Sequence, residues 1–315
     1  MTHTALLTIR DLLSSTRACL QAAGIPDAAL EAEVLVMHAA ALSRAQLYAR
    51  LGEALPVETV ERLEALIARR VAREPLAYVT GHREFFGLDL LTDRRALVPR
   101  QETETLVEET IAVAQRRFGH LPHPRPSATP SPLAERETES EVALLGRCTI
   151  ADVGTGSGAI AIALAMHLPR ARIVATDASR EALALARDNA ARSGVADRVE
   201  MLEGDLLSSV RERVDIVVAN LPYVPESEWA SLQPEIRLFE PKAALVPGAT
   251  GLEAVRRLLS EVASREPRPV AVLLELGIGQ AQVVAAEPLG LFVGATVRTY
   301  RDLAGIERGV IIEAS

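Results

Sequence analysis

ADVGTGSGAIAIALA occupies residues 151–165, and its pattern decides the fold. The residues before Gly154 are mostly apolar and predict a buried strand, while the apolar run after Gly158 predicts a helix. The glycines between them permit a tight turn and bring backbone amides at the helix start close to a ligand. The turn therefore predicts a cofactor site formed by Gly154, Thr155, Gly156, Ser157 and Gly158.

Working outward from this turn, strands alternate with helices of 10–15 residues, which predicts a parallel, doubly wound α/β sheet of the Rossmann-like kind. The last stretch, residues 295–314, predicts two strands around a turn at an antiparallel edge. The predicted strands are CTIADVG, RIVATD, VEMLEGDLL, VDIVVANLPY and PVAVLLELG, and the predicted helices are GAIAIALAMHLP, SREALALARDNAARSG and TGLEAVRRLLSEVASRE.

The N-terminal part has a different pattern. Residues 5–73 show apolar residues at three- and four-residue intervals, which predicts a bundle of four or five helices. Residues 76–98 change to short extended runs around Gly81 and Gly87, which predicts a β-hairpin. A further helix is predicted from Gln101 to Phe118. We expect a helical bundle over 1–74, a hairpin connector over 75–98 and a catalytic domain over 99–315, interrupted by a proline-rich, mobile insertion at 119–147.

Composition limits the classes of function. The net charge of the 315 residues is −8, so a basic surface for stable nucleic-acid binding is not expected. Cys19 and Cys148 match neither a metal nor a redox spacing, and we predict no metal site and a reducing, cytoplasmic location. No apolar run of about 18 residues predicts a membrane span, and the first residues do not resemble a signal peptide. Because no heptad pattern is present, we expect a monomer.

Two acidic residues follow the second and third strands of the predicted sheet. Asp177 lies 19 residues after Gly158, where a carboxylate can hold both hydroxyls of a ribose. Asp205 can accept a hydrogen from an adenine amino group, and Leu206 can contribute a backbone amide or an apolar wall to the base. This spacing alone leaves dinucleotides and S-adenosylmethionine open as cofactors.

DIVVANLPYVPESEW, residues 215–229, places a polar amide directly after a buried strand. Asn220 follows the fourth strand, at the sheet edge where α/β proteins bind ligands. Its side-chain oxygen and the carbonyl of Leu221 can accept the two N–H groups of a planar nitrogen. Pro222 restricts Leu221 to an extended conformation, and the ring of Tyr223 can pack against a flat group. This arrangement favours transfer of a methyl group to the nitrogen of an amide or exocyclic amine, because the two acceptors turn the lone pair of that nitrogen out of conjugation.

Together, Asp-x-Gly-x-Gly-x-Gly, the aspartate of the second strand and Asn-Leu-Pro-Tyr resemble the class I S-adenosylmethionine-dependent methyltransferases that act on planar nitrogens. One branch of that class methylates adenine N6 in DNA or RNA. Another methylates N5 of the glutamine in the Gly-Gly-Gln motif of class I peptide chain release factors. Residues 69–111, RRVAREPLAYVTGHREFFGLDLLTDRRALVPRQETETLVEETI, resemble the segment that precedes the catalytic domain in the glutamine branch.

The resemblance implies S-adenosyl-L-methionine as cofactor, S-adenosyl-L-homocysteine as product and a class I release factor as partner. It implies that the helical bundle recognises the release factor and that Pro-Arg-x-Glu-Thr-Glu, residues 99–104, shapes the wall near the cofactor. Catalytic and substrate-binding roles fall on Asn220, Leu221, Pro222 and Tyr223, and Asn220 also borders the cofactor pocket.

Leu221 departs from the usual Asn-Pro-Pro-Tyr of the glutamine branch and matches Asn-Leu-Pro-Tyr of the ribosomal RNA dimethylating enzymes. The carbonyl acceptor is retained, although one rigid φ is lost. The adenine-N6 methyltransferase of RNA or DNA therefore stays as an alternative. A cofactor-binding adaptor without catalytic activity is a second one, and an intact Asn220 argues against it.

Overall fold

The computed structural model describes residues 7–119, 148–287 and 294–314. It divides into two compact units: the residues up to His82 together with Leu232–Glu240, and Arg83–Ser231 together with the residues from Pro241 onward. The predicted insertion, 119–147, lies outside the described residues from residue 120 on. The domain boundaries derived from the sequence, 1–74, 75–98 and 99–315, stay a prediction.

Eleven helices are found in the part of the chain that the structure describes. In chain order they are α1 (Ile9–Ala22), α2 (Ala28–Ala40), α3 (Arg44–Ala49), α4 (Val57–Val71), α5 (Leu76–Thr80), α6 (Glu104–Phe118), α7 (Ala159–His167), α8 (Arg180–Arg192), α9 (Pro234–Phe239), α10 (Glu253–Ala263) and α11 (Gln280–Ala286). Short 3₁₀ turns cover Gln101–Thr103, Glu226–Ser231 and Lys242–Ala244.

Nine strands are found over the same residues and form two sheets. The strands are β1 (His82–Phe85), β2 (Leu88–Leu91), β3 (Thr149–Val153), β4 (Arg172–Asp177), β5 (Val199–Glu203), β6 (Ile216–Ala219), β7 (Ala271–Glu275), β8 (Thr296–Arg301) and β9 (Glu307–Glu313). The first two make a hairpin, and the other seven make one large sheet.

The first unit is helical, as predicted for residues 5–73. Helix α1 begins with a reciprocal cap, in which the Asp11 amide donates to the Thr8 hydroxyl and the Thr8 amide donates to the Asp11 carboxylate. One face of each longer helix is apolar, and these faces meet in a core that contains Leu20, Leu35 and Leu63. Burial of this apolar stripe, rather than helix propensity, stabilises helices of this length.

The predicted hairpin is shorter than expected. Extended structure was predicted from residue 76, but Leu76–Thr80 is helical, because Pro75 precedes its first turn with a suitable φ and Gly81 ends it in the left-handed conformation. The hairpin itself turns at Phe86 and Gly87, which both have positive φ. The part of the prediction that placed a hairpin turn at Gly87 is confirmed.

The large sheet has the strand order β5-β4-β3-β6-β7-β9-β8. Strands β3 to β7 pair in parallel, whereas β9 runs antiparallel to both β7 and β8. After β3 the chain first builds outward through β4 and β5 and then returns to the other side of β3 with β6. The crevice at this reversal, between the carboxyl ends of β3 and β6, is where open α/β sheets bind ligands.

Helices cover both faces of the sheet, so successive strand residues pack into different cores. Ile150 points into one core together with residues of α6 and α7, and Val153 points into the other together with residues of α10. The run Ala159–Ala165 of α7 is buried on every side. Near-continuous apolar strands are the expected pattern for a sheet covered on both faces.

The predicted fold class is confirmed, including the antiparallel strands at the end of the chain. Two predicted strands end earlier than expected: β5 ends at Glu203 rather than near Leu207, and β6 ends at Ala219 rather than at Tyr223. The residues beyond these ends form loops, which places their side chains and carbonyls at the crevice. Helices α9 and α11 are not predicted from the sequence.

Candidate active site

The glycine turn after β3 has the backbone that the sequence pattern predicts. Gly154, Gly156 and Gly158 all have positive φ, at 76°, 57° and 84°. A Cβ on Gly154 would lie 3.0 Å from the side chain of Leu221, and one on Gly158 would lie 3.0 Å from that of Ile162. The positive φ therefore favours glycine at these two positions, and a Cβ at either one would also press against a neighbouring side chain.

Asp152, in β3, stabilises the glycine turn through hydrogen bonds of its side chain. Its Oδ2 accepts hydrogen bonds from the Thr155 hydroxyl at 2.6 Å and from the Ala161 amide at 3.1 Å. The carboxyl is fully buried, and burial raises its pKa from the usual 3.8 to about 7, while these two hydrogen bonds act in the opposite direction. The side chain thus ties the end of β3 to the first turn of α7.

Asp177 ends β4 and borders the same crevice, as predicted. Its Oδ2 accepts from the Gly156 amide at 2.9 Å, and its Oδ1 accepts from the Ser179 amide at 2.8 Å. Each carboxylate oxygen has a further lone pair for a ligand. The glycine turn and the acid are therefore held in one rigid arrangement in which a ribose can be bound.

Asp205 and Leu206 lie in the loop after β5. The Asp205 carboxylate forms an ion pair with Arg257, and its side chain is mostly exposed. Leu206 has a φ of 50°, which is unusual for a branched residue, and its carbonyl accepts a hydrogen bond from the Thr176 hydroxyl at 2.8 Å. Strained backbone of this kind is frequent at ligand sites.

Asn220 directly follows β6, and its amide is held by two partners. Its Nδ2 donates to the Thr103 hydroxyl oxygen at 3.0 Å and to Oε1 of Glu275 at 2.9 Å. Both hydrogens of the amide nitrogen are therefore used. Among the described residues no partner takes up Oδ1, and Asn220 borders the crevice with this half-buried side chain.

Glu275 ends β7 and is only 2% exposed. Its Oε2 is buried and has no hydrogen-bond partner among the described residues. Burial raises its pKa from the usual 4.5 to about 7, whereas a hydrogen bond with Thr103 and the charge of Arg308 act to lower it. A buried carboxyl with one unpartnered oxygen is costly to keep, so its position next to Asn220 suggests a role in the site.

The backbone of Tyr223 is fixed by a glutamine. Gln280 donates from Nε2 to the Tyr223 carbonyl at 2.9 Å and accepts from the Gly277 amide at 2.9 Å. Gly251 packs against the same carbonyl so closely that a Cβ there would lie 2.3 Å from its oxygen. Burial raises the pKa of the Tyr223 hydroxyl to about 12, so this ring is neutral.

Pro-Arg-x-Glu-Thr-Glu, residues 99–104, leads into α6 and borders the site. Glu104 accepts a hydrogen bond from the Phe86 amide at 3.0 Å, which stabilises the positive φ of that hairpin residue. Glu102 forms an ion pair with Arg308 at 3.6 Å. Arg100 and Thr103 line the crevice. The segment thus connects the hairpin, β9 and Asn220.

The crevice is a cavity of about 670 Å³, a size typical of cofactor sites. All the residues that the sequence predicted for the site line this cavity, apart from Gly158 and Tyr223. The predicted residues that line it are Gly154, Thr155, Gly156, Ser157, Asp177, Asp205, Leu206, Asn220, Leu221 and Pro222.

Family models match two parts of the chain. The PrmC N-terminal domain matches residues 11–81, and the methyltransferase small domain matches residues 141–241. Among curated proteins, the release factor glutamine methyltransferase of Cereibacter sphaeroides is 38% identical over 95% of both chains. That of Moorella thermoacetica is 40% identical over 96% of this chain and 97% of its own length.

The chain belongs to the release factor glutamine methyltransferase family. It is therefore a methyltransferase, and the resemblance noted in its sequence is confirmed. Among solved structures, the hMettl16 catalytic domain in complex with MAT2A 3′UTR hairpin 6 covers 82% of each chain with a TM-score of 0.54 and 15% identity. At this identity the likeness shows only that the two chains share a fold.

Family membership shows the class of enzyme, whereas the assignment of this cavity as its active site and the roles of the individual residues stay predictions. Thr103, Glu275 and Gln280 were not predicted as part of the site. The only signal in the sequence is that Glu275 is an acid inside the apolar run AVLLEL, at the carboxyl end of a predicted strand. None of the helices in the described residues is long and apolar enough to span a membrane.

Proposed function

We propose that this enzyme methylates N5 of the glutamine in the Gly-Gly-Gln motif of class I peptide chain release factors. S-adenosyl-L-methionine is the donor, and S-adenosyl-L-homocysteine is the product. Full-length relatives at 38–40% identity carry the name of this activity. The structural observation that supports it best is Asn220, whose amide nitrogen is bonded on both hydrogens while its oxygen is left for a ligand in the cavity.

The residues of the cavity fit this cofactor. Gly154 and Gly156 line the cavity, and Asp177 has lone pairs available for two ribose hydroxyls. Leu206 and the Asp205–Arg257 pair line the region where an adenine would be bound. When bound, S-adenosylmethionine supplies an electrophilic methyl group on a sulfonium centre.

The chain's own contribution is orientation of the substrate amide. An amide nitrogen is a poor nucleophile, because its lone pair is delocalised into the carbonyl. Oδ1 of Asn220 and the Leu221 carbonyl accept the two N–H groups, which holds the nitrogen with its lone pair out of conjugation. Acceptors that are already in place when the substrate arrives lower the barrier without reorganisation.

Leucine at position 221 is compatible with this role. Its side chain is buried and packs next to Gly154, so it fixes the loop by contact rather than by a proline ring. Pro222 still restricts the backbone before it to extended conformations. We expect the carbonyl to keep its position.

The helical unit is proposed to recognise the release factor. It matches the PrmC N-terminal domain over residues 11–81. The net charge of −8 opposes non-specific attraction to phosphate backbones, which favours a protein partner over RNA.

The experiment is incubation of the protein with a class I release factor and methyl-labelled S-adenosylmethionine, followed by mass spectrometry of the Gly-Gly-Gln peptide. Label on the glutamine, lost in Asn220→Ala and retained in the surface control Gln282→Ala, is the expected result. Label on RNA but not on protein would establish the adenine methyltransferase instead. Cofactor binding by calorimetry without transfer to either substrate would indicate an adaptor.

A further inference from the structure

An asparagine amide can take two orientations that differ by exchange of its oxygen and nitrogen. In only one of them does Asn220 present an acceptor to the cavity. The other would present its own N–H groups to the N–H groups of a substrate amide, and the two would repel. A side chain next to Asn220 therefore has to favour the orientation in which Oδ1, and not Nδ2, faces the substrate.

Two side chains favour the productive orientation. Nδ2 of Asn220 donates to Thr103 at 3.0 Å and to Oε1 of Glu275 at 2.9 Å. If the amide turned over, its Oδ1 would lie within the same distance of Oε1, and two acceptors would be in contact. The hydroxyl of Thr103 can donate as well as accept, so Thr103 alone permits both orientations. Glu275 is the partner that discriminates.

We propose that Glu275 is a positioning residue that fixes the Asn220 amide with Oδ1 toward the substrate nitrogen. This inference rests on the proposed function and adds a residue to it. Glu275 is not among the described residues that line the cavity, so it acts through Asn220 and not as a base on the substrate. The contact joins the carboxyl ends of β6 and β7, which pair side by side in the sheet.

The surroundings of Glu275 show that it is kept at a cost to stability. Its carboxyl is buried, its Oε2 has no partner among the described residues, and its pKa is raised to about 7. The charged groups that act on it are Arg308, which favours ionisation, and Glu102, which opposes it. The ionised carboxylate can only accept and excludes the turned-over amide, and the protonated carboxyl does so while its proton is on Oε2.

An apolar side chain at position 275 is therefore expected to lower activity without lowering stability. Glu275→Leu removes the acceptor and also the cost of burying a carboxyl. We expect kcat to fall about 100-fold, a loss typical of a misplaced catalytic hydrogen bond, with an unchanged or higher melting temperature. The KM for release factor and the Kd for S-adenosylmethionine, measured by calorimetry, are expected to stay within about threefold of wild type.

Glu275→Gln carries both an acceptor oxygen and a donor NH2, so it permits both orientations of Asn220 and is expected to lower kcat less than Glu275→Leu does. The control Glu109→Leu removes a carboxylate of the same unit, which pairs with Arg298 at 2.6 Å, and is expected to leave kcat unchanged. The inference is overturned if Glu275→Leu keeps kcat within about threefold of wild type. It is also overturned if the variant loses cofactor binding together with kcat.

If Glu275→Leu does not fold, the role of Glu275 can be tested by exchanging the carboxylate and the amide between positions 220 and 275. At a pH of about 8, Asn220→Asp places a second carboxylate against Glu275, and repulsion turns it out of position. In the double variant Asn220→Asp/Glu275→Gln, the new amide at position 275 donates to one oxygen of the new carboxylate at position 220 and leaves the other oxygen for the substrate. We expect the double variant to be at least about tenfold more active than Asn220→Asp, a coupling that independent sites do not show.

A double variant no more active than Asn220→Asp would refute the role of Glu275. The proposed function is tested separately by the wild-type protein. Absence of methyl transfer from wild type to the release factor means that the proposed function fails, whereas the inference depends only on ratios between active variants.

Discussion

Arg70 and Glu235 lie 165 positions apart in the sequence, and their side chains form an ion pair at 3.0 Å. Arg70 also binds Glu31 of α2 at 2.6 Å, and Arg73 binds Glu235 at 2.9 Å. Glu235 is in α9, within the segment Leu232–Glu240 that belongs to the helical unit. These contacts fix a segment that follows the Asn220 loop in the chain to a unit made otherwise of N-terminal residues.

Glu235→Gln is expected to lower the free energy of unfolding by roughly 2 kcal/mol, because the buried Arg70 loses one of two carboxylates. Urea denaturation followed by circular dichroism measures this change. Glu226→Gln is the matched control: it breaks an exposed pair with Lys242 and is expected to change the free energy by less than about 0.5 kcal/mol. Equal losses of unfolding free energy in the two variants would show that the ion pair of buried Arg70 with Glu235 contributes no more than the exposed pair does.

Gly251→Ala is expected to displace the loop that contains Tyr223. A Cβ at this position would lie 2.3 Å from the Tyr223 carbonyl oxygen, so the loop has to move, and we expect kcat to fall at least about tenfold. Gly305→Ala is the control. Both glycines have a φ of 78°, but a Cβ at Gly305 meets nothing within 4 Å. Methyl-transfer assays should therefore show a loss only for Gly251→Ala, and a similar loss in both variants would assign the effect to backbone strain alone.

Asp177→Asn is expected to weaken binding of S-adenosylmethionine about 10- to 100-fold. The change removes the charge that strengthens hydrogen bonds to ribose hydroxyls and leaves one acceptor oxygen in place of two. Isothermal titration calorimetry measures the affinity. Asp89→Asn, which breaks an exposed pair with Arg192, serves as the control and is expected to bind normally. Unchanged affinity in Asp177→Asn would exclude the ribose role.

Asp152 makes stability depend on pH in an unusual direction. Its pKa is raised from 3.8 to about 7 by burial, so the folded state binds a proton more tightly than the unfolded state does. Its contribution is therefore fully present below about pH 4 and is lost as the pH rises through about 7. Other carboxyls with lowered pKa, such as Asp302, act oppositely, so wild type has to be compared with a variant.

Asp152→Asn does not titrate. Between about pH 4 and about pH 8 the free energy of unfolding of wild type, relative to this variant, is expected to fall by on the order of 3 kcal/mol. Urea titrations at a series of pH values measure this difference. A constant difference over that range would show that the Asp152 carboxyl has an ordinary pKa in the folded protein.

Local pattern in the sequence determined the alternating strands and helices, the helical N-terminal part and the position of the glycine turn. These features depend on periodicity and on glycine conformation, which neighbouring residues set. Asp177 and Asn220 were also predicted, because a polar residue at the end of a buried strand has to lie at the sheet edge. The short helix at Leu76–Thr80 was missed, since five residues are too few to show a helical period.

Tertiary structure alone decided which residues meet at Asn220. Thr103 is 117 positions away from it and Glu275 is 55 positions away, and neither carries a local signal that relates it to an amide. Their contact depends on strand order and on the start of α6. Leu232–Glu240 likewise belongs to the helical unit through contacts between distant residues, such as the ion pair of Glu235 with Arg70. Sequence periodicity reports which face of an element is buried, whereas the partner of a buried polar group is fixed only when distant elements pack together.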